Sequence, residues 1–497
     1  MQKSITHSTL NGLFWVISGA GFQAILRLVV FIILARLLTP ADFGIVNAAS
    51  IVIGFSEIFS LLGVGPAIVQ RPNLEDSHLR TGFTVSVFFG LLMASFLWLF
   101  SPSLANFFQM EELTLVIRVL VLVFPLHSIS VIAESLLQRE LQFRWLTSIN
   151  LASFIVGYGI VGVSLALASF GIWALVGATL SQAATNSLIL LIIKPHPKLP
   201  QFDRAAFDDL IHFGGGFTIA RIFNYIATQG DYLVVGRWLG AEALGLYGRA
   251  YQLMVLPANL LGQALDKVLF PAMAKVQEEP KRLAIAYRRS ITLIALIILP
   301  TSAALFALSP EIIHLLLGPA WTGAIIPFQI LTIGMLFRTS YKVSDSLARA
   351  KGAVYKRAWI QGVYATLILA GAWLGHYWGI SGVAIGVLIA LSINFLLMAQ
   401  LSLRLTFITW RDLFAAHIPA SCFAVITYVS VWLIATFMRS LFIPNLAIIS
   451  IAGTITLAFS LLLSLLIPQT FWGVDAIWLF NTIANTYKRF LQKHSSN

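Results

Sequence analysis

Leu34-Ala-Arg-Leu-Leu-Thr-Pro-Ala-Asp-Phe-Gly44 is the stretch whose reading decides the fold. It returns once, as Val235-Gly-Arg-Trp-Leu-Gly-Ala-Glu-Ala-Leu-Gly245. Arg36 aligns with Arg237, Leu38 with Leu239 and Gly44 with Gly245, each at an offset of 201 positions (237 − 36). A long apolar run precedes each copy and another follows it. The motif therefore reads as a tight turn between two membrane-crossing helices. Its Arg is placed to snorkel to the headgroup boundary, and its Gly to open the next helix. A repeat at fixed offset makes the chain two related halves. A cavity between such halves is where transporters bind substrate.

Composition agrees with a membrane chain. Of 497 residues 58% are hydrophobic and only 10% charged, and the mean hydropathy is +0.87. A soluble domain carries charge on about a quarter of its residues, so this is a polytopic membrane protein. The apolar runs are near or above the length of a spanning helix, and the alternation of barrel strands is absent, so the fold is all-α. The net charge of +12 would suit nucleic acid. Its Lys and Arg, however, gather in every second loop, as the positive-inside rule expects, which argues against a nucleic-acid partner. The single Cys422 lies in an apolar run and excludes a disulfide framework or a Cys-based metal site. The first apolar run holds Arg27 and no small-residue cleavage site, so it is expected to stay as a helix.

Taken in order, the chain predicts about fourteen spans. The first runs from about Asn11 to Leu38 and the second from about Asp42 to Pro66. Basic loops follow span 2 (Arg71, Arg80), span 4 (Arg139, Arg144) and span 6 (Lys194, Lys198, Arg204); the loops between are poor in cations. Pro195, Pro197 and Pro200 stiffen the segment between halves. The second half keeps the alternation, with basic loops after span 8 (Lys267 to Arg289) and span 10 (Arg349 to Arg357). Gly171-Ile172 with Asn186 returns as Gly379-Ile380 with Asn394, at an offset of 208 (379 − 171), pairing span 6 with span 12. The reading is a six-helix lobe over 1–194, a cytoplasmic linker over 195–210, a second six-helix lobe over 211–404 and helices 13–14 over 405–467. A cytoplasmic tail over 468–497 follows, whose Trp472–Leu491 stretch is amphipathic. Both termini are expected on the cytoplasmic side.

Polar residues within spans need a reason, because each ionisable group there costs roughly 2.5 kcal/mol or more. Span 1 holds Gln23 and Arg27 one turn apart. Span 2 holds Asn47, Ser50, Gly54 and Glu57 on one face, and span 7 repeats that spacing with Arg221, Asn224, Thr228 and Asp231. Span 8 carries Arg249, Gln252, Asn259, Gln263 and Asp266. These are the repeat-related hairpins, and their stripes are expected to line a wet central cavity. The competing reading is that the charges pair off and hold helices together. Arg118, Glu134, Arg338 and Asp345 lie nearer span ends, where snorkelling or local pairing is expected. Arg27, Arg221 and Arg249 outnumber the acids that could neutralise them, which points to an anionic ligand; the planar guanidinium fork suits phosphate. Asp231 is the candidate coupling group for a proton or sodium ion, against a fixed salt bridge to Arg237 or Arg249. No Walker motif or metal-ligand cluster occurs, so neither ATP hydrolysis nor a cofactor is expected.

Four stretches carry a resemblance: Leu34–Gly44; Leu62-Gly-Val-Gly65 with Ile68-Val-Gln-Arg71; Leu136-Leu-Gln-Arg-Glu-Leu-Gln-Phe-Arg144; and Gly171-Ile-Trp-Ala-Leu175. They resemble the oligosaccharide flippases of the colanic acid and teichuronic acid exporter type, in the multidrug/oligosaccharidyl-lipid/polysaccharide exporter superfamily. The resemblance implies two six-helix lobes around a cavity, no enzymatic activity, and a bacterial inner-membrane location. It implies movement of undecaprenyl-pyrophosphate-linked glycan units by alternating access, among membrane lipids and beside a polysaccharide polymerase. Related lipid II flippases use cavity Arg residues on helices 1, 2 and 8. Arg27 and Arg249 match two of these, while span 2 here offers Glu57 and no Arg. Their sodium site lies among helices 7, 11 and 12; Asp231 and Asn394 match part of it, and span 11 has no Asp or Glu. The rival functions are an ion-coupled multidrug antiporter, which wants acids dominating its cavity, and a non-transporting scaffold of an export complex.

Overall fold

The computed structural model describes residues 23, 25–61, 63–197 and 200–466, with side chains described outside 211–220, 260–268 and 464–466. Among these residues every regular element is a helix. The start of span 1 and the Trp472–Leu491 stretch lie outside them, as do the side chains of Gln263 and Asp266. Among the described residues ten segments are long and apolar enough to cross a membrane, and one of them, Val354–Thr406, is 53 residues long and holds two full-length helices.

The first compact unit covers residues 1–248. Its first described helix, α1, covers 25–37 and meets α2 (Pro40–Leu61) at the turn predicted from the repeat. Thr39 and Asp42 cap that turn reciprocally: the Thr39 backbone N–H and hydroxyl donate to Asp42 Oδ2 at 2.9 and 2.7 Å. Short α3 (Val64–Gln70) follows Gly63, whose left-handed backbone (φ 69°) breaks it from α2. Then come α4 (Asp76–Phe108), α5 (Leu113–Leu120), α6 (Val123–Arg139) and α7 (Phe143–Phe154). A wide, π-helical stretch over Ile155–Gly162 links α7 to α8 (Val163–Leu167). It lets Gly157 and Gly162 ride against Ala178 of α9 (Ile172–Ile193), where a Cβ on either glycine would overlap α9. The linker runs along α4, with Gln201 and Asp203 backbone N–H groups each donating 3.0 Å hydrogen bonds to Thr84 and Thr81. Asp203 then caps α10 (Arg204–Trp238) by accepting from the Ala206 N–H at 2.9 Å.

The two copies of the turn motif meet within this unit. A Cβ on Gly44 would fall on the carbonyl oxygen of Ala241, at the start of α11 (Gly240–Lys275), and one on Gly245 would fall on that of Pro40. Pro40 and Ala241 are themselves partners at the 201-residue offset. The crossing of α2 and α11 is thus two-fold symmetric in sequence, and Gly248 continues it against Asn47, its own repeat partner. The glycines were expected to open helices. Gly44 instead lies inside α2, and close backbone approach is what requires it. In the second copy the turn itself is made by Gly240, at φ 87°.

The second compact unit covers residues 249–497 and holds the rest of α11. It continues through α12 (Pro280–Ala307), α13 (Ser309–Leu316), α14 (Ile325–Ile333), α15 (Met335–Ala350), α16 (Val354–Gly375) and α17 (Gly379–Thr406). Facing Gly371/Gly375 of α16 and Gly382/Gly386 of α17 let the two backbones touch, a Cβ at any of them overlapping the other helix. Gly379 opens α17 with φ 68°, as Gly171 opens α9 with φ 55°, so the second sequence echo is a shared helix start. Helices α18 (Trp410–Ser440) and α19 (Asn445–Leu466) dock on the end of α12 through Ala307, Leu308, Val431, Ala435 and Ile448. Arg439 fastens them, donating to both Glu311 carboxylate oxygens at 2.6 and 2.9 Å and to the Ala307 carbonyl at 3.1 Å.

Candidate functional site

Within the first unit the polar stripe of α2 meets two neighbours. The Tyr225 hydroxyl of α10 donates to the Ile51 carbonyl at 2.8 Å and fills the notch left by Gly54. One turn further, Glu57 pairs with His127 Nδ1 of α6 at 3.0 Å. The Arg221 guanidinium lies within electrostatic reach of Glu57.

Beyond Glu57 opens a cavity of about 340 Å³. Glu57 of α2, His127 and Glu134 of α6, Asn150 of α7, and Thr179, Gln182 and Asn186 of α9 line it. His127 and Glu134 are seven residues apart, two helical turns, so both project from one face of α6. Asn186 Nδ2 donates to Asn150 Oδ1 at 3.2 Å, and Glu134 accepts from Gln138 at 3.1 Å.

Arg27 reaches this site from the other side. Its guanidinium lies 5.4 Å over the Phe154 ring, which stacks at 5.4 Å on Tyr158. The Tyr158 hydroxyl bonds Thr179 at 2.9 Å, in the cavity wall. Of the residues expected to line a central cavity between the halves, Glu57 lines this one, which lies within the first unit, and Arg27 and Arg221 lie near its lining residues. Asn47 packs against Gly248, Asn224 is exposed on α10, and Gln23 is half-buried. In the second unit Arg249 donates to Gln252, and Asn259 is half-buried on α11.

Asp231 is buried, at 2% exposure, and accepts a 2.6 Å hydrogen bond from the Tyr247 hydroxyl across the α10–α11 hairpin. The groups expected to pair locally behave variously. Arg118 donates to Ser101 at 3.1 Å and lies over Trp98; Asp345 pairs with Arg349 and Arg357; Arg338 donates to the Tyr251 hydroxyl. Glu134 instead faces the cavity, and among the described residues no cation stands within ion-pair distance of it. Sequence reading expected Glu134 to snorkel or pair locally, and it did not single out His127, Asn150 or Gln182, which sit among small polar Ser and Thr residues on their spans. The two-turn spacing of His127 and Glu134 was the available signal.

Outside the membrane, Asp209 at the start of α10 pairs with Arg71 at 2.6 Å and lies 3.6 Å from His78. The hydrogen bond from Arg71 holds its carboxyl below the usual aspartate range. Arg139 clasps the same corner, donating to the backbone carbonyls of Ile68 (2.9 Å), Arg71 and Pro72 (2.9 Å). The Ile68 carbonyl belongs to the last turn of α3, and those of Arg71 and Pro72 to the chain just beyond it. The Ile68–Arg71 and Leu136–Arg144 stretches are thus two halves of one cap.

A family described as "Polysaccharide biosynthesis protein" matches residues 33–326. The chain belongs to that family. Relatives similar to it include the teichuronic acid biosynthesis protein TuaB of Bacillus subtilis, 26% identical over 71% of this chain and 73% of the relative. The lipopolysaccharide biosynthesis protein WzxC of Escherichia coli is 26% identical over 79% and 80%. Among solved structures, the lipid II flippase MurJ in an inward closed conformation superposes with a TM-score of 0.74 at 15% identity, over 93% of this chain and 99% of that one. An inward-facing multidrug resistance transporter of the MATE family follows at TM-score 0.61 and 18% identity, over 78% and 96%. The family member described here is therefore a multi-pass membrane protein with the fold of that transporter superfamily.

Proposed function

We propose that this chain moves undecaprenyl-pyrophosphate-linked oligosaccharide units from the inner to the outer leaflet of the bacterial cytoplasmic membrane, by alternating access, for surface polysaccharide assembly. The observation that carries the reading is the pairing of a polysaccharide-biosynthesis family with Arg side chains inside the spanning fold. Arg27 and Arg221 adjoin a polar cavity among spanning helices, and Arg249 lies on the repeat partner of the cavity-lining helix. A diphosphate is met by guanidinium forks. The lobes 1–194 and 211–404, joined by the linker 195–210, open in turn to each side, while the polyprenyl tail stays in lipid. No covalent step is required of the protein.

A multidrug antiporter would need acidic residues to dominate the binding surface, and a scaffold would have no use for Arg inside its spans. Deleting the gene should stop polymer export and build up lipid-linked oligosaccharide on the cytoplasmic leaflet. Arg27→Ala, Arg221→Ala and Arg249→Ala should each fail to restore export at normal membrane levels. Arg→Lys should restore it in part, because Lys lacks the bidentate fork. Full export by all three Ala variants refutes the diphosphate site.

A further inference from the structure

The cavity among α2, α6, α7 and α9 has no partner yet in the transport reading. Its chemistry is unlike that of a phosphate site: among the described residues no Arg or Lys lines it. It carries two carboxylates, one imidazole, the amides of Asn150, Gln182 and Asn186, and hydroxyls from Ser130 and Thr179. Carboxylates accept hydrogen bonds and amides both donate and accept, which is the set a polyhydroxylated ring needs. At about 340 Å³ the cavity is at the small end of the range of ligand sites, roughly 300–1,000 Å³, with room for one or two sugar rings.

Two further observations orient it. Glu57 is answered by His127 and sits within reach of Arg221, so its charge is compensated. Glu134, which among the described residues accepts a hydrogen bond from Gln138 alone, leaves acceptor capacity directed at the cavity. A ring hydroxyl or amine can donate to it, whereas a ring carboxylate would meet like charge. The cavity wall is also continuous with Arg27, through Phe154, Tyr158 and Thr179.

We propose that this cavity binds a sugar ring of the lipid-linked headgroup, and that Glu134 makes it selective for non-acidic sugars over uronic acids. The inference deepens the transport reading and rests on it for the identity of the cargo. Glu134 selects by accepting from the ring. Gln182 and Asn186, one turn apart on α9, supply the amide contacts, with Asn150 holding Asn186 in place. Tyr158 is a positioning residue, fixing Thr179 from behind.

The test uses the full chain in nanodiscs of bacterial lipid, free of glycosidic detergent. Saturation-transfer NMR reads binding of methyl glucoside, methyl glucosaminide and methyl glucuronide. The first two should bind, and the glucuronide about tenfold more weakly, the factor that about 1.4 kcal/mol of repulsion produces. Glu134→Gln keeps the shape and removes the charge, and should bring the glucuronide level with the glucoside. Gln182→Ala and Asn186→Ala should abolish all three signals. Absence of binding to the wild-type protein overturns the proposal, as does a glucuronide preference or a Glu134→Gln variant that still rejects glucuronide. Isosteric Glu134→Gln keeps the question answerable if the Ala variants fold poorly. Soluble glycoside binding involves no translocation. Loss of lipid-linked transport with these profiles intact would refute the transport reading alone, and the reverse result the sugar site alone.

Discussion

Asp231 shows how one carboxylate can carry two meanings. From sequence it is a charge on a polar stripe; in the fold it is a buried group held by the Tyr247 hydroxyl. Its burial within a spanning hairpin keeps it the candidate coupling group. If it couples transport, Asp231→Asn should still bind lipid-linked substrate and lose the gradient-dependent part of export. Export at the parental rate, with unchanged pH and sodium dependence, would remove it from that role. Asp209 gives a cleaner electrostatic case. Its carboxyl is lowered in the fold, first by the hydrogen bond from Arg71. A lowered acid stabilises the fold above the unfolded value, about pH 4, and that contribution fades as pH falls through the lower folded value. The thermal midpoint of wild type should exceed that of Asp209→Asn at pH 6, and the gap should close on acidification towards pH 3. A constant gap would mean that Asp209 acts by shape and not by charge. At this scale the sequence was only partly readable. Arg27, Arg221 and Glu57 were visible as charges in apolar runs. Glu134 and Asn150 were not, because a single polar residue near a span end has the same pattern whether it snorkels or lines a cavity.

Helices here are positioned by backbone approach as much as by side chains. Gly44 and Gly245 each accept the other repeat's turn, so a methyl group at either has nowhere to go. Gly44→Ala and Gly245→Ala should each cost about 2 kcal/mol or more, as overpacking does. Gly453, on α19, has open space around its Cβ direction, and Gly453→Ala should be neutral or stabilising by up to about 1 kcal/mol. Thermal midpoints in nanodiscs separate the cases, and equal shifts at all three would show that the α2–α11 crossing relaxes freely. The repeat was legible as residue matches at a fixed offset. That those residues touch one another was not, because an offset records ancestry and carries no distance. The Gly371/Gly375 and Gly382/Gly386 pairs went unread, although small residues four apart on neighbouring spans mark close helix contact in membranes.

For the whole molecule, hydropathy was enough for the all-α membrane class, since a spanning helix must be long, apolar and internally hydrogen-bonded, while loop charge supplies an expectation of topology. The repeat-related helices α10 and α11 fall outside the ten clearly apolar segments, and it was the repeated motif that identified them. The alternation of basic loops predicts that both termini are cytoplasmic. A reporter active only in the periplasm, fused after Asn497, should be silent, and activity there would contradict the even span count. The central claim is transport of a lipid-linked glycan. Its most direct measurement is movement of a fluorescent polyprenyl-diphosphate oligosaccharide across proteoliposomes holding the purified chain, read by a quencher that reaches one leaflet only. The account predicts movement that depends on the protein, falls to the protein-free rate in Arg27→Ala, and is unaffected by a cationic dye. Movement equal to that of protein-free liposomes, or undiminished movement in Arg27→Ala, Arg221→Ala and Arg249→Ala together, would contradict it.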